Sequence, residues 1–426
     1  MVKQVLEKLL GTLARAVVKK YRPKIVAITG SVGKTTTRAA CVAVLGMSFR
    51  VRGSMKNYNN ELGVPISILG CDAPGHSVFK WGGVFLKGIW LLLANDPLFP
   101  QVLVLEMGAD HPGDLAYLMS IAPPDIGVVT AVSAAHTEFF NSVEGVLEEK
   151  KVMITTLTEN HFAIINGDDE NLKSIVGEVR ARLTSLGFSG DAHVQAQNVS
   201  VAYDSDGIPI GTHAEIRVDG SQFVVVIPRT LGVPVVYAAL AGVSVGRALG
   251  LSSDEIQKGL MTFEPPAGRL RILEGIKRTT LIDDTYNSSS HATHAALDAL
   301  ANIQAHGRHK IAVLGDMLEL GALTEETHRE IGRYAAKSGI TTLITVGFAS
   351  RFTAEEAREA GLGEDHVFSF DTSVEAGSFL QERLQEGDVV LIKGSQGVRC
   401  ERIVKEVMAE PLRAEDLLVR QTKKWL

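Results

Sequence analysis

Residues 23–37 read Pro-Lys-Ile-Val-Ala-Ile-Thr-Gly-Ser-Val-Gly-Lys-Thr-Thr-Thr. The apolar first half predicts a buried strand, and the second half predicts a tight turn that leads into a helix. Gly30 and Gly33 allow the backbone to bend so that successive N–H groups face one anion, and the N-terminus of the next helix adds partial positive charge. The stretch therefore predicts a polyphosphate-binding turn.

The polar residues of this turn fit the same chemistry. Lys34 is long enough to reach the β- and γ-phosphates of a nucleotide, and the Thr35 hydroxyl suits Mg²⁺. Ile28 stands where the generic P-loop has its first glycine, so the motif is the shortened form Thr-Gly-x-x-Gly-Lys-Thr-Thr. The alternative is an ordinary glycine turn between a strand and a helix, but such a turn does not explain why Lys-Thr-Thr follows Gly33. The residues expected to contact the nucleotide are Gly30, Ser31, Val32, Gly33, Lys34, Thr35 and Thr36.

Composition limits the classes of protein. The 426 residues exceed one hydrophobic core, which predicts two or three domains. A formal net charge of −6 without any Lys/Arg run argues against a nucleic-acid binder, so small molecules are the expected partners. The three cysteines, at positions 41, 71 and 400, are too far apart for a disulfide scaffold or a zinc knuckle, which fits a reducing cytoplasm. The N-terminus lacks a secretory signal pattern.

Strand-like apolar runs alternate with helix-like segments along most of the chain. This alternation is typical of parallel sheets flanked by helices. We therefore expect an α/β protein, with a P-loop-type central domain built on a mainly parallel sheet and a Rossmann-like C-terminal domain. Two prolines at 265–266 mark the boundary, which gives a helix at 1–22, a central domain at 23–267 and a C-terminal domain at 268–426. Alternating residues at 193–228 predict an antiparallel appendage. The predicted strands are 25–29, 102–106, 126–130, 162–166, 311–315, 342–346 and 389–393.

Two further candidate ligands follow predicted strands. Glu106 ends the strand at 102–106, at the edge of the sheet where ligands bind in open α/β folds. Its carboxylate is a candidate Mg²⁺ ligand, and the alternative is a solvated glutamate at a strand end. His136 follows the strand at 126–130 and is a candidate metal ligand or phosphate contact, although a lone histidine in a loop is often incidental.

Five short motifs occur in an order that resembles the Mur ligases of peptidoglycan synthesis. Together with the phosphate turn they extend over nearly the whole chain, from 25 to 405. The chain is most similar to the branch of the family that adds D-alanyl-D-alanine to a UDP-N-acetylmuramoyl-tripeptide. The motifs are Asn59-Asn-Glu-Leu-Gly-Val-Pro65, Gly108-Ala-Asp-His-Pro-Gly113, Asp283-Asp-Thr-Tyr-Asn287, Leu314-Gly-Asp-Met-Leu-Glu-Leu-Gly321 and Ile392-Lys-Gly-Ser395.

The resemblance implies an ATP- and Mg²⁺-dependent ligase. ATP would convert the terminal carboxylate of the tripeptide into an acyl phosphate, which the amine of the dipeptide then attacks. Thr35 and Glu106 would bind one Mg²⁺, and His136 would serve a second. Lys150, fourteen residues past His136, falls where Mur ligases carry a carbamylated lysine, and bound CO₂ would turn this cation into an anion able to hold the metal. The alternatives are the neighbouring Lys151 or a solvated helix lysine. The expected catalytic residues are Lys34, His136 and Lys150.

The resemblance also implies contacts on the C-terminal side. Arg269 and Asn287 would contact the nucleotide, and a surface arginine is the alternative for Arg269. For Asp316 a helix N-cap is the structural alternative. The expected substrate contacts are Asn59, Asn60, Asp316, Lys393 and Ser395.

Two departures from the family pattern leave other functions open. About 22 residues precede the first strand, too few for the family's UDP-binding domain, so we expect UDP to be recognised differently. Tyr237 stands where the family tends to have an asparagine that contacts the nucleotide. One alternative is a Mur-type ligase with another carboxylate acceptor, such as a folate or a lipid-linked muropeptide. The other is a non-catalytic nucleotide-binding scaffold.

Residues 78–93 form an unusually apolar stretch that contains two tryptophans. Lys80 and Lys87 interrupt it, and its apolar core is too short to span a bilayer. One hypothesis is an interfacial helix that lies on the membrane or covers the substrate. The other, which we favour from the sequence, is a helix packed on the sheet or in a dimer contact.

Overall fold

The computed structural model describes residues 2–54, 58–75, 77–133, 140, 142–304, 308–422 and 425, without the side chains of residues 2–4. The chain divides into two compact units. Unit 1 comprises Met1–Asn198, Ala214–Val225 and Val236–Glu264. Unit 2 comprises Val199–His213, Val226–Val235 and Pro265–Leu426.

Unit 1 is built on a parallel sheet. Neighbouring strands pair in parallel in the order β2-β3-β1-β4-β5-β6. The central strands β1, β3 and β4 are almost entirely buried, which is why the sequence shows them as continuous apolar runs. The strands are β1 (Lys24–Thr29), β2 (Val51–Gly53), β3 (Val102–Glu106), β4 (Ile126–Val129), β5 (Phe162–Asn166) and β6 (Arg182–Gly187).

Three further strands extend this sheet: β7 (Val194–Tyr203), β8 (Pro209–Val218) and β9 (Ser221–Pro228). β7 pairs with β6 in parallel. A two-residue turn at Asp219–Gly220, both with positive φ, joins β8 to β9, and so short a connection requires antiparallel strands. The strands predicted at 193–228 are therefore confirmed, but they continue the parallel sheet instead of forming a separate appendage.

The helices α1–α9 lie between and after these strands. Helix α2 begins directly after the phosphate turn because Gly33, at φ 84°, turns the chain into it. The helices are α1 (Val2–Tyr21), α2 (Lys34–Leu45), α3 (Gly63–Leu69), α4 (Val78–Leu93), α5 (Asp114–Ile121), α6 (Val143–Thr155), α7 (Glu170–Ser174), α8 (Val233–Ala248) and α9 (Ser253–Met261).

Unit 2 contains a six-stranded sheet with the order β10-β11-β15-β12-β13-β14. All neighbours pair in parallel except β10, which is antiparallel to β11. Successive residues of β12 belong to two different apolar clusters, so both faces of the sheet are covered. The strands are β10 (Arg271–Glu274), β11 (Thr280–Asp284), β12 (Lys310–Gly315), β13 (Thr342–Val346), β14 (Val367–Phe370) and β15 (Val389–Lys393). The helices are α10 (Ser290–Ala301), α11 (Thr324–Lys337), α12 (Ser350–Glu359), α13 (Ser373–Arg383), α14 (Glu401–Val407) and α15 (Ala414–Leu417).

Helix α4 occupies the apolar stretch singled out in the sequence. The Ser77 side chain caps its N-terminus by accepting a hydrogen bond from the Lys80 N–H. A Cβ atom at Gly88 would lie 2.4 Å from the Leu13 side chain, so α4 packs closely against α1 at this point. Among the helices that the structure describes, none is long and apolar enough to cross a membrane.

Candidate nucleotide and metal site

The glycines of the phosphate turn are required by its shape. Gly30 has φ 143°, and a Cβ atom there would lie 2.0 Å from the Thr130 hydroxyl oxygen. Gly33 adopts the left-handed conformation and begins α2 without a capping side chain. The Ser31 N–H donates to the Ala131 carbonyl at 2.8 Å, which holds the turn against the segment after β4. The turn thus has the backbone conformation that the sequence predicts.

Lys34 lies across this turn. Its Nζ donates to the Gly30 carbonyl at 2.5 Å and to the Ser31 carbonyl at 3.3 Å. Thr35 and Thr36 follow it in the first turn of α2, so the predicted nucleotide contacts at 30–36 occupy one continuous segment. An ammonium group over a glycine turn at a helix N-terminus is suited to a polyphosphate.

Glu106 is buried beside the start of α2. Its side chain is 3% exposed, which excludes the alternative of a solvated glutamate. The carboxylate accepts hydrogen bonds from the Thr35 hydroxyl at 3.0 Å and from the Asn59 side-chain amide at 3.3 Å. Arg38, one helical turn after Lys34, interacts electrostatically with this carboxylate. Burial lowers the pKa of Arg38, and the negative charge of Glu106 opposes that shift. Arg38 is not among the residues predicted from the sequence, although its i+4 spacing from Lys34 could have revealed it.

The donor set beside the turn fits Mg²⁺. A threonine hydroxyl and a carboxylate are hard oxygen ligands, and Mg²⁺ usually takes few protein ligands and completes its shell with phosphates and water. No group of three His, Cys, Asp or Glu side chains forms a metal cluster in the part of the chain that is described. His136, the predicted second ligand, lies outside the described residues. Thr35 and Glu106 are therefore suited to bind a Mg²⁺ ion whose remaining ligands are nucleotide phosphates and water.

Lys150 on α6 is buried, with 3% of its surface exposed. Burial lowers the pKa of Lys150 to about 8, and the Lys34 charge adds to the shift, whereas Glu149 and Asp110 oppose it. A larger fraction of this amine is therefore neutral at physiological pH than of an ordinary lysine.

Lys151 differs from its neighbour. Its ammonium forms ion pairs with Glu148 at 2.8 Å and Glu178 at 3.0 Å, and these carboxylates raise the pKa of Lys151. The interpretation as a solvated helix lysine therefore describes Lys151 and not Lys150.

Two sequence motifs come together near Glu106. The Gly108 N–H donates to the Asn59 carbonyl at 2.7 Å. The exposed Asn60 uses its side-chain oxygen to accept from the Gly63 N–H at 2.9 Å, at the start of α3. On α6, Glu149 accepts from the N–H groups at the N-terminus of α5, both at 2.8 Å. These contacts fix the loops beside the carboxylate.

Tyr237 has a partner that the sequence did not reveal. Its hydroxyl donates to Asp168 at 2.8 Å, and its ring packs edge-on against Phe188 with centroids 5.1 Å apart. Burial and the Asp168 carboxylate raise the pKa of Tyr237. The tyrosine is therefore fixed within unit 1.

Unit 2 holds a second polar cluster, at the carboxyl ends of β11 and β15. The buried Lys393 donates to Asp284 at 2.6 Å and to the Asn287 carbonyl at 3.0 Å. The buried Ser395 hydroxyl accepts from the Leu318 N–H at 3.0 Å. Lys393, Ser395 and Asn287 are among the residues predicted from the sequence. Asp284, the second carboxylate of the motif at 283–287, is not.

The other predicted residues of unit 2 lie at nearby strand and loop ends. The half-buried Arg269 stacks over the Tyr286 ring, 4.1 Å from its centroid. Asn287 is exposed. Asp316 accepts from the Ser350 N–H at 2.7 Å, so it binds the N-terminus of α12, a helix from another part of the sequence.

Comparisons with known proteins identify the family. A model described as the Mur ligase middle domain matches residues 91–245, and one described as the Mur ligase glutamate ligase domain matches residues 268–396. The UDP-N-acetylmuramoyl-tripeptide–D-alanyl-D-alanine ligase of Synechocystis sp. is 30% identical over 397 residues, which cover 92% of this chain and 76% of that protein. This chain belongs to the Mur ligase family.

Further Mur ligases agree with this assignment. The ligase of the same name from Bacillus subtilis is 29% identical over 95% of this chain and 80% of that protein. The crystal structure of the MurF ligase from Thermotoga maritima in complex with ADP is 28% identical, has a TM-score of 0.76, and covers 94% of this chain and 83% of that one. The predicted α/β fold and enzyme class are therefore confirmed: as a Mur ligase, the chain is an ATP-dependent ligase that forms an amide bond, and Mg²⁺ is the metal of this family.

Proposed function

We propose that this Mur ligase adds D-alanyl-D-alanine to a UDP-N-acetylmuramoyl-tripeptide during synthesis of peptidoglycan precursors. The supporting observation is its similarity, over at least 92% of its length, to ligases that carry this name in Bacillus subtilis and Synechocystis sp..

The requirement for ATP supports a cytoplasmic location. The Pro265 boundary between the compact units supports domains at 23–267 and 268–426, after an N-terminal helix at 1–22.

The first half of the reaction makes the acid reactive. A carboxylate oxygen of the tripeptide attacks the γ-phosphorus of ATP, the bond to the β-phosphate oxygen breaks, and an acyl phosphate and ADP form. The turn at 30–36 binds the phosphates, and Lys34 offsets their charge. Thr35 and Glu106 would hold Mg²⁺, which neutralises phosphate charge when bound. These residues position the reactants and need not act as nucleophiles.

The second half forms the amide. The amine of D-alanyl-D-alanine attacks the acyl carbon, inorganic phosphate leaves, and the nitrogen loses a proton. We assign substrate contacts to Asn59, Asn60, Asp316 and Ser395, which lie at loop or strand ends. Because Lys393 is buried and paired with Asp284, we assign it a positioning role for the loop at Asn287. Arg269 and Asn287 remain proposed nucleotide contacts, and His136 remains a proposed metal ligand.

Lys150 is proposed to be carbamylated. The Lys150 ammonium first releases one proton. The neutral amine then attacks the carbon of CO₂, forming an N–C bond as one C–O π bond breaks, and the nitrogen releases a second proton, so that a cation becomes an anion. The lowered pKa of about 8 supports this reaction because it increases the neutral fraction of the amine. The conversion would also replace the repulsion between Lys150 and Lys34 by attraction. Lys151 is the poorer candidate because two carboxylates hold its charge.

One assay tests the proposed reaction. Phosphate release is measured with ATP, Mg²⁺, the UDP-linked tripeptide and D-alanyl-D-alanine, omitting each in turn, and mass spectrometry follows the pentapeptide product. Lys34→Ala serves as the inactive control, and Lys151→Ala serves as a matched lysine variant that should stay active. Turnover that requires both the tripeptide and the dipeptide is the expected result. Turnover with a different amine or a different acid would assign another Mur-type reaction.

A further inference from the structure

Helix α4 exposes an apolar stripe along one side. Phe79, Leu86 and Leu93 are 94%, 69% and 84% exposed, and Trp90 lies on the same side. In chain order, Phe79, Leu86, Trp90 and Leu93 are separated by seven, four and three residues. This spacing places them within about 60° around the helix, over roughly 21 Å of its length. The opposite side, with the buried Val84, Gly88 and Leu91, packs inward. One side of α4 is therefore built for the protein interior, and the other is apolar yet faces outward.

Positive charge is concentrated in α4, which carries this stripe, and in α1, which packs against it. Residues 2–22 and 77–94 contain eight Lys or Arg residues and one Glu, whereas the whole chain has a formal net charge of −6. Helix α4 contains no acidic residue. Lys80 is exposed near the start of α4, and the Lys87 ammonium lies 4.4 Å from the centroid of the Trp90 ring. Lysines beside tryptophan and leucine are typical of helices that lie in a membrane interface.

Helix α1 fixes the orientation of this surface. Lys20 donates to the carbonyls of Leu91 and Leu92 at 2.9 and 3.1 Å, and the Tyr21 hydroxyl donates to the Leu91 carbonyl at 3.0 Å. These groups satisfy the C-terminal carbonyls of α4, which would otherwise lack partners. The stripe therefore lies on a helix that contacts within the chain already hold in place.

We propose that the stripe on α4 docks on the surface of a bilayer that contains anionic phospholipids. The apolar side chains enter the boundary between headgroups and acyl chains, and the lysines and arginines of α4 and α1 pair with lipid phosphates. A second copy of this chain fits the surface less well. In a two-fold dimer the same face meets itself, which would bring two sets of cations together. An anionic membrane supplies apolar contact and opposite charge at once.

Vesicle flotation of the full chain tests this proposal. Wild-type protein should float with phosphatidylglycerol-containing vesicles, bind less as salt rises, and bind poorly to phosphatidylcholine vesicles. The variant Phe79→Gln/Leu86→Gln/Leu93→Gln should lose at least about tenfold in partition coefficient. The matched control Leu323→Gln/Leu412→Gln removes exposed leucines of unit 2 and should bind as wild type. Circular dichroism should show both variants folded.

A second variant keeps the test decisive if the triple variant fails to fold. Lys80→Gln/Lys87→Gln should reduce binding to anionic vesicles at low salt and leave the weak binding to neutral vesicles unchanged. Wild-type protein that does not float with anionic vesicles at low salt overturns the proposal. So does a wild-type dimer in light scattering that the triple variant converts to monomer, because the stripe would then be a subunit interface.

Discussion

Replacement of Lys150 by methionine should stabilise the protein while it abolishes ligase activity. Burial shifts the pKa of this lysine from 10.5 to about 8, and about 1.4 kcal/mol per unit gives a penalty of about 3 kcal/mol for keeping it protonated in the folded state. Below pH 8 both states carry the proton and the full penalty applies. Between pH 8 and 10.5 the unfolded chain binds more protons, so the stability of wild type rises with pH. Methionine, of similar length and uncharged, removes the penalty.

Urea unfolding at pH 7 and pH 10 in CO₂-free buffer measures this effect. The Lys150→Met variant should be more stable than wild type at pH 7 by up to about 3 kcal/mol, and most of the difference should vanish at pH 10. Lys151→Met is the matched control and should show no gain at either pH, because Lys151 is paired with Glu148 and Glu178. A Lys150→Met variant that is no more stable at pH 7, or whose advantage is the same at both pH values, refutes the reasoning.

Three further predictions concern the same unit. Gly30→Ala should weaken ADP binding at least about 100-fold in calorimetry, because its Cβ would lie 2.0 Å from a neighbouring hydroxyl oxygen. Gly177→Ala is the matched control, because a Cβ atom there meets no atom within 4 Å, and unchanged binding by Gly30→Ala would contradict the turn assignment. Glu106→Gln should raise the Mg²⁺ concentration for half-maximal turnover about tenfold or more, and an unchanged Mg²⁺ dependence would remove Glu106 from the metal site. Tyr237→Phe should lower the free energy of unfolding by about 1 kcal/mol through loss of the hydrogen bond to Asp168, and no loss in urea unfolding would argue against that bond.

The sequence predicted most of the strands that are buried on both faces. β1, β3, β5 and β12 appear within one residue of their predicted ends, because burial of both faces produces an uninterrupted apolar run. Most of the missed strands lie at sheet edges or have mixed burial. β11 is the exception, because it is fully buried inside the sheet, but its sequence Thr-Leu-Ile-Asp-Asp is not an apolar run. β2 has three half-buried residues, and β14 is only partly buried, so neither carries a clear pattern. Pairing with a neighbouring strand, and not the local sequence, defines these strands.

In the site, too, features set by neighbouring residues in the sequence could be predicted, whereas contacts between distant residues could not. The turn at 30–36 and Glu106 could be predicted because each follows directly from a strand end. The choice between Lys150 and Lys151 could not, because it depends on which side of α6 faces the interior. Pairs between distant residues were also out of reach: Tyr237 lies 69 residues from Asp168, and Lys393 lies 109 residues from Asp284.

The charges near the phosphate turn explain why such a site is unfavourable without its substrate. The buried Lys150 and the half-buried Arg38 both have pKa values lowered by burial, and the Lys34 charge lowers the pKa of Lys150 further. Glu106 opposes the shift of Arg38 only in part, and Glu149 and Asp110 oppose that of Lys150 only in part. A nucleotide polyphosphate adds the missing negative charge, so its binding relieves repulsion that the folded chain alone retains. The cations Lys34 and Arg38, which reduce stability in the absence of ligand, therefore increase affinity for ATP. Lys150 differs, because its proposed carbamylation would turn it into an anion, so Lys150→Met should stabilise the free protein and impair turnover more than nucleotide binding.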